Sequence, residues 1–292
     1  MNRIKGILYA AVSSSTFGLA PFFSITLLLA GFSAFEVLSY RWGVASIVLI
    51  VFGWLSGCNF RLAGKDWGVV FLLSLLRAVT SFSLIIAYQN IASGVASTIH
   101  FMYPLAVALA MMFFFREKKS LLVILAVLMS LLGAALLSLG ELEAKSGNTM
   151  VGLVAAWVSV FSYAGYIVGV RTTRAVQINS TALTCYVMGL GTIFYLIGAY
   201  CTSGLQLVSD GYTWLIILGL ALPATAISNI TLVQAIKYAG PTLTSILGAM
   251  EPLTAVVIGV FVFKELFTVN SAVGIILILL AVSIVVFRRQ KS

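Results

Sequence analysis

Two stretches, FMYPLAVALA at Phe101–Ala110 and LGAMEPLTAVVIG at Leu247–Gly259, share a Met-x-Pro-Leu core, and the register between them decides the architecture. With a shift of 148 positions, Met102, Pro104 and Leu105 fall on Met250, Pro252 and Leu253. The same shift carries Ala87 to Ala235, Ser97 to Ser245, Phe113 to Phe261, Phe115 to Phe263, and Arg116-Glu117 to Lys264-Glu265. Apolar matches are expected by chance between two greasy sequences, but a shared proline and a shared basic-acidic pair are rarer. The chain therefore reads as two copies of one element, residues 1–140 and 150–292, joined by the polar link GELEAKSGNT at Gly140–Thr149.

The composition says where such an element lives. Of 292 residues, 61% are hydrophobic and 9% charged, with a mean hydropathy of +1.13, whereas soluble domains carry about a quarter charged residues. An ordinary soluble domain is excluded. The net charge of +9 is not a nucleic-acid footprint, because the basic residues are thinly scattered between apolar runs and form no aromatic-interleaved stripe. Cys58, Cys185 and Cys201 have no metal-ligand spacing and read as packing residues, so neither a metal nor a cofactor is expected.

A membrane helix needs roughly 20 mostly apolar residues. Ten segments qualify, at about 6–29, 35–56, 68–88, 93–115, 120–140, 150–171, 180–202, 212–234, 241–263 and 269–287. Their runs are continuously apolar and do not alternate, which favours helices over a barrel. The first run is too long for a signal-peptide core and is expected to remain as a span. Arg3, Lys5, Arg61, Lys65, Arg116, Lys118, Lys119, Arg171, Arg174, Lys237, Arg288, Arg289 and Lys291 fall on one side, against Lys145 and Lys264 on the other. That asymmetry predicts cytoplasmic amino and carboxyl termini. Five spans per copy is an odd number, so the second copy must enter the membrane upside down. The expected fold is thus an all-α integral membrane protein of ten transmembrane helices, built as two inverted five-helix repeats. Inverted repeats are how many secondary carriers exchange two nearly equivalent conformations around a ligand held near the midplane.

Within this frame a few polar groups stand out. Glu251 lies about midway along the ninth span, where a charge costs at least about 2.5–3.5 kcal/mol on insertion scales. It should therefore face a hydrated cavity, pair with a cation or stay protonated. Pro252 lacks an amide hydrogen and is expected to leave the carbonyl of Gly248 without its usual partner. Thr244, Gly248, Glu251, Ala255 and Gly259 recur at helical spacing as one small and polar face. Tyr103 occupies the repeat position of Glu251, so the two should sit at similar depth across one cavity. Pro104 and Pro252 are candidate hinges. His100, on the same face of the fourth span, could sense or carry a proton, since an unperturbed imidazole titrates near pH 6.5.

Arg77 is near the middle of the third span, and Arg41 is a turn or two inside the outer end of the second. Arginine stays protonated, so Arg77 needs a carboxylate, carbonyls, water or an anionic ligand. A structural Arg77–Glu251 pair is one explanation of both residues, and a functional role for each is the other. Trp42, Tyr163 and Tyr166, with Tyr40, could supply aromatic walls for an amino acid or an organic cation. Packing is the plainer reading of each. Asn229 and Gln234 in the eighth span read as glue between helices.

The segments SYRWGVASIVL (Ser39–Leu49), YPLAVALAMMFFFREK (Tyr103–Lys118), FSYAGYIVGVRTT (Phe161–Thr173) and MEPLTAVVIGVFVFKE (Met250–Glu265) together resemble the drug/metabolite transporter superfamily, in its EamA-like branch of ten-helix carriers. One departure is Phe17 in STFGLAPFF, where such proteins often show a tryptophan. The resemblance implies a secondary, non-ATP-driven exporter of amino acids or related metabolites in a bacterial-type inner membrane. Its partners would be a small-molecule substrate, the bilayer and, where coupled, protons, with no nucleic acid. A carrier of quaternary amines or cationic drugs is the alternative within transport, since an acid among aromatics suits such ligands too. An intramembrane enzyme is disfavoured because paired carboxylates, a Ser-Lys or His-Cys partnership and an HExxH motif are all missing from the sequence. The absence of a P-loop motif likewise argues against an ATP-driven pump.

Overall fold

The computed structural model describes residues 2–91, 93–117, 121–138, 147–202, 204–261 and 268–288. Phe263, Lys264 and Glu265 lie outside them, as do most of the polar link, Lys118, Lys119, Lys145, Arg289 and Lys291, and the side chain of Ala255. The described residues are helical, without a strand. Seven helical segments are long and apolar enough to cross a membrane: Arg3–Leu29, Ala34–Leu55, Gly64–Asn90, Val95–Phe113, Thr149–Thr172, Ser180–Cys201 and Gly211–Ala239. Shorter apolar stretches, Leu121–Leu136 within α7 (Leu121–Ser138) and Ala272–Ile284 within α14 (Val269–Arg288), fall in the fifth and tenth expected spans.

Several helices start on caps written into the sequence. Ser33 and Glu36 form a reciprocal capping box at the start of α3 (Ala34–Leu55), which satisfies amides that the helix itself leaves unpaired. Asn148 opens α8 (Thr149–Thr172), Asn179 opens α9 (Ser180–Cys201) and Asp210 opens α10 (Gly211–Ala221), each accepting from backbone N–H groups one turn on. Glu36 does double duty, since its Oε1 also accepts the Gln206 N–H at 2.6 Å while the Tyr40 hydroxyl donates to the Gln206 carbonyl at 2.5 Å. The loop after α9 is thereby clipped onto α3.

The expected spans are not all continuous. The first divides into α1 (Asn2–Phe17) and α2 (Ala20–Leu29), the fourth into α5 (Ser93–His100) and α6 (Tyr103–Phe113), and the ninth into α12 (Pro241–Leu247) and α13 (Met250–Phe261). In the eighth, a π-helical stretch over Leu222–Ile227 separates α10 from α11 (Ser228–Ala239). Each irregularity lies just before or at a proline: Pro21, Pro104, Pro252 and Pro223. A proline offers no N–H to the carbonyl four residues back, and in the first and fourth spans the helix stops at that residue, Phe17 or His100. The Gly248 carbonyl, expected to be free, is not: it accepts the Glu251 N–H at 2.8 Å. A tight turn across the break supplies the partner that Pro252 cannot.

The helix pairs follow the sequence register. α4 (Trp67–Asn90) runs along α8, α1 along α11, α3 along α9, and α7 along α14. Thr80 donates to the Ser162 hydroxyl at 3.0 Å between α4 and α8, and Ser13 donates to the Ser228 carbonyl at 2.8 Å between α1 and α11. Thr80 and Ser228 are themselves 148 positions apart, so the two helix pairs are counterparts under the repeat shift.

α3 and α9 interlock tightly around Trp42. A β-carbon on Gly191 would stand 2.1 Å from the six-membered ring of Trp42, an indole buried to 1% exposure that also meets Tyr195 edge to face. Gly189, on the same helix, has open space around it. Gly191→Ala is expected to destabilise the protein by about 1–3 kcal/mol through overpacking, and Gly189→Ala to stabilise it by up to about 1 kcal/mol. Paired thermal melts of the detergent-purified variants check this.

Candidate functional site

Arg77 comes from the middle of α4 and Arg41 from α3, and both are buried, at 1% and 4% exposure. The Arg77 Nε donates to the Asn229 Oδ1 at 3.0 Å, and a terminal nitrogen donates to the Ser81 hydroxyl at 3.4 Å. The Arg41 Nε donates to the Thr225 hydroxyl at 2.7 Å, with the Ala224 carbonyl at 3.5 Å from a terminal nitrogen. The π-helical stretch positions these last two acceptors, because the widened turn lets the Thr225 hydroxyl reach back to the Leu220 carbonyl and present its lone pair to Arg41. All four partners are neutral, and among the described residues neither arginine pairs with a carboxylate. The expected alternative of an Arg77–Glu251 ion pair is not what this structure contains.

Aromatic faces complete the setting of both cations. The Phe17 ring lies 5.3 Å from the Arg77 guanidinium and 5.6 Å from that of Arg41. Tyr163 and Tyr166 lie 5.0 and 5.9 Å from Arg77. Such contacts favour a cation through the ring quadrupole, and here they hold the guanidiniums without neutralising them. Phe17 is the last residue of α1 before the break, so the interruption of the first span presents this ring.

The two arginines line one narrow cavity of about 20 Å³ together with Phe17, Ala20, Pro21, Ser24, Thr80, Ser81, Leu84, Ile85 and Tyr88. That is room for about one water molecule, so this form of the protein is closed to anything larger. No carboxylate is among the lining residues.

Glu251 stands outside that lining. Its Oε1 accepts the Tyr103 hydroxyl at 3.4 Å. The two residues related by the 148-position shift, expected at similar depth across one cavity, therefore touch each other. The first span's break packs here as well: a β-carbon on Gly18 would lie 2.6 Å from the Glu251 carbonyl oxygen and 2.9 Å from the Thr254 side chain.

His100 ends α5 beside this contact, with its ring 5.5 Å from Tyr103 and stacked at 5.4 Å on Tyr163. Its Nδ1 lies 2.8 Å from the Ser159 hydroxyl. That hydroxyl donates to the Ala156 carbonyl at 2.6 Å, which leaves its lone pair to accept the Nδ1 proton. The opposite nitrogen, Nε2, and the Tyr166 hydroxyl are buried without a hydrogen-bond partner.

The structure thus gathers Arg41 and Arg77 at the cavity, and Tyr103, Glu251, His100, Tyr163 and Tyr166 in an adjoining cluster linked through Arg77. Trp42 belongs to neither, being packed against Gly191 and Tyr195. Ser81, Thr225 and Phe17 were not singled out as site residues in the sequence, and Asn229 read only as glue. A signal for them existed, since the 148-residue shift carries Arg77 to Thr225 and Ser81 to Asn229.

Comparison with known proteins agrees with the helical architecture. The profile of the EamA-like transporter family matches residues 4–139 and again residues 150–287. A protein of Archaeoglobus fulgidus described as an uncharacterized transporter is 28% identical over 238 residues, covering 80% of this chain and 83% of its own length. A solved crystal structure superposes with a TM-score of 0.81 over 100% of this chain and 99% of the other, at 18% identity, and so shares its fold.

Asn229 is the partner on which Arg77 depends. Asn229→Ala is expected to leave the Arg77 Nε–H buried and unsatisfied, at a cost of about 1–3 kcal/mol, whereas Asn229→Asp keeps an acceptor in place and should melt at or above the wild-type temperature. Thermal unfolding of the two variants side by side tests the assignment.

Proposed function

We propose that this chain, which belongs to the EamA-like transporter family, is a secondary carrier whose cavity seats the carboxylate of a small metabolite at Arg41 and Arg77. The observation that supports this reading is the pair of buried guanidiniums facing one cavity with only neutral hydrogen-bond partners. A buried charge is costly unless it is paired. An anionic ligand would supply the pairing that the protein withholds, and a guanidinium is suited to hold a carboxylate by two parallel hydrogen bonds. The site would then gain stability on loading and give it up on release.

In this reading residues 1–140 and 150–292 are inverted halves, with cytoplasmic termini, in a bacterial-type inner membrane. They alternate the exposure of the cavity by rocking about the Tyr103–Glu251 contact, with the breaks before Pro104 and Pro252 as hinges. Glu251 serves coupling: loss or gain of its proton changes what the Tyr103 hydroxyl holds. Amino acids and related metabolites are the substrates the family resemblance suggests, and export is the direction. The carboxylate is the part of such molecules that the cavity recognises. The quaternary-amine alternative gains no support from the cavity, since two guanidiniums repel a cation.

Counterflow in proteoliposomes tests the carrier. Substrate loaded on the far side should accelerate uptake of labelled substrate, and Arg77→Gln should reduce the rate at least tenfold. Large, unsaturable conductance would instead mean a pore. Glu251→Gln is expected to fold but to lose flux or its pH dependence, and unchanged transport across pH would remove Glu251 from coupling.

A further inference from the structure

An amino acid brings two opposite charges, so a site built for one needs a partner for each. The Arg41–Arg77 cavity supplies the partner for the carboxylate. For an ammonium it offers little. Glu251, the deep acid, is absent from the lining and accepts instead from Tyr103. The Phe17 ring, which could have received a cation, already lies over both guanidiniums. Beyond the arginines the wall is apolar at Phe17, Ala20, Pro21, Leu84 and Ile85 and carries the hydroxyls of Ser24, Thr80, Ser81 and Tyr88, which can hydrogen-bond an ammonium but cannot neutralise it. The amino end of α2 begins at this wall with Ala20 and Pro21, and the positive end of a helix favours negative charge. An ammonium in this space would lie close to two like charges, where the low effective dielectric makes repulsion strong.

We infer that the cavity takes a net anion: a small monocarboxylate with a short apolar tail and no ammonium group. In the wider form of the cavity that a transport cycle opens, its carboxylate lies between Arg41 and Arg77, and its tail lies along Leu84 and Ile85. The inference rests on the carrier reading for the role of the cavity, and it narrows the cargo from amino acids and related metabolites to the related acids alone. Selectivity follows from the missing partner. A zwitterion satisfies the arginines equally well but must bury its ammonium uncompensated, and burying an unpaired charge is what a binding site can least tolerate.

Three molecules on one branched carbon skeleton separate the possibilities: isovalerate carries the carboxylate alone, valine carries carboxylate and ammonium, and isobutylamine carries the ammonium alone. Thermal-shift titrations of the full-length purified protein should show isovalerate binding at least tenfold more tightly than valine, with no shift from isobutylamine. Asn229→Asp, which sets a carboxylate against Arg77, should weaken isovalerate at least tenfold while the protein stays folded. Valine binding as tightly as isovalerate, stabilisation by isobutylamine, or no response to any of the three would overturn the inference. Counterflow then separates this idea from the carrier reading. Saturable valine exchange without isovalerate exchange sinks the anion selectivity and leaves the carrier standing. Tight isovalerate binding with no accelerated exchange of any ligand sinks the carrier and leaves the selectivity.

Discussion

A guanidinium stays protonated under any condition a cell meets, so an arginine carried into the middle of a membrane protein must be compensated there by the fold. This molecule carries two. Arg77 and Arg41 are held by an amide oxygen, two hydroxyls, a carbonyl and aromatic faces, and much of the rest of the bundle can be understood as the scaffold that brings those neutral groups to them. The π-helical stretch positions Thr225 and Ala224, α11 brings Asn229, and the break after α1 aims Phe17. Hydrogen bonds to neutral acceptors orient a charge without cancelling it, which is the condition a binding site for an anion requires.

The repeat ties this chemistry to the architecture. Arg77 and Thr225 are counterparts under the 148-residue shift, one a guanidinium donor and the other a hydroxyl acceptor, while Ser81 and Asn229, also counterparts, both accept from Arg77. Tyr103 and Glu251 show the same logic, because two counterparts in contact have become a hydroxyl donor and a carboxylate acceptor. Identical residues at 103 and 251 would place like against like, whereas a tyrosine and a glutamate make a complementary polar contact.

Much of this was legible in the sequence, and the exceptions have physical reasons. Helical class, segment positions and the importance of Met-x-Pro-Leu followed from hydropathy and the repeat, since lipid leaves the backbone few choices. Hydropathy does not register where a helix pauses, so the division of the first, fourth and ninth spans was visible only as prolines. Pro252 suggested a bare carbonyl at Gly248, but a local turn closed it, an option available wherever the chain can tighten by one residue. An Arg77–Glu251 pair was one explanation the sequence offered, because charge suggests charge. The nearer partners of Arg77, Asn229 and Ser81, are ordinary polar residues whose role depends on distances that only the fold sets. Trp42 was grouped with binding aromatics because residue type is indifferent to facing, and here the indole faces Gly191.

The missing side chain at position 18 has a mechanical meaning. Because that glycine lets one interrupted span rest directly on the main chain of another, the bend before Ala20 and the bend before Met250 are in van der Waals register with no compressible group between them. A displacement of the ninth span toward the first would push against the backbone that carries the aromatic ring over the two cations. Backbone touching backbone works as a stiff linkage, and here it joins the helix that carries the acid to the aromatic wall of the cavity.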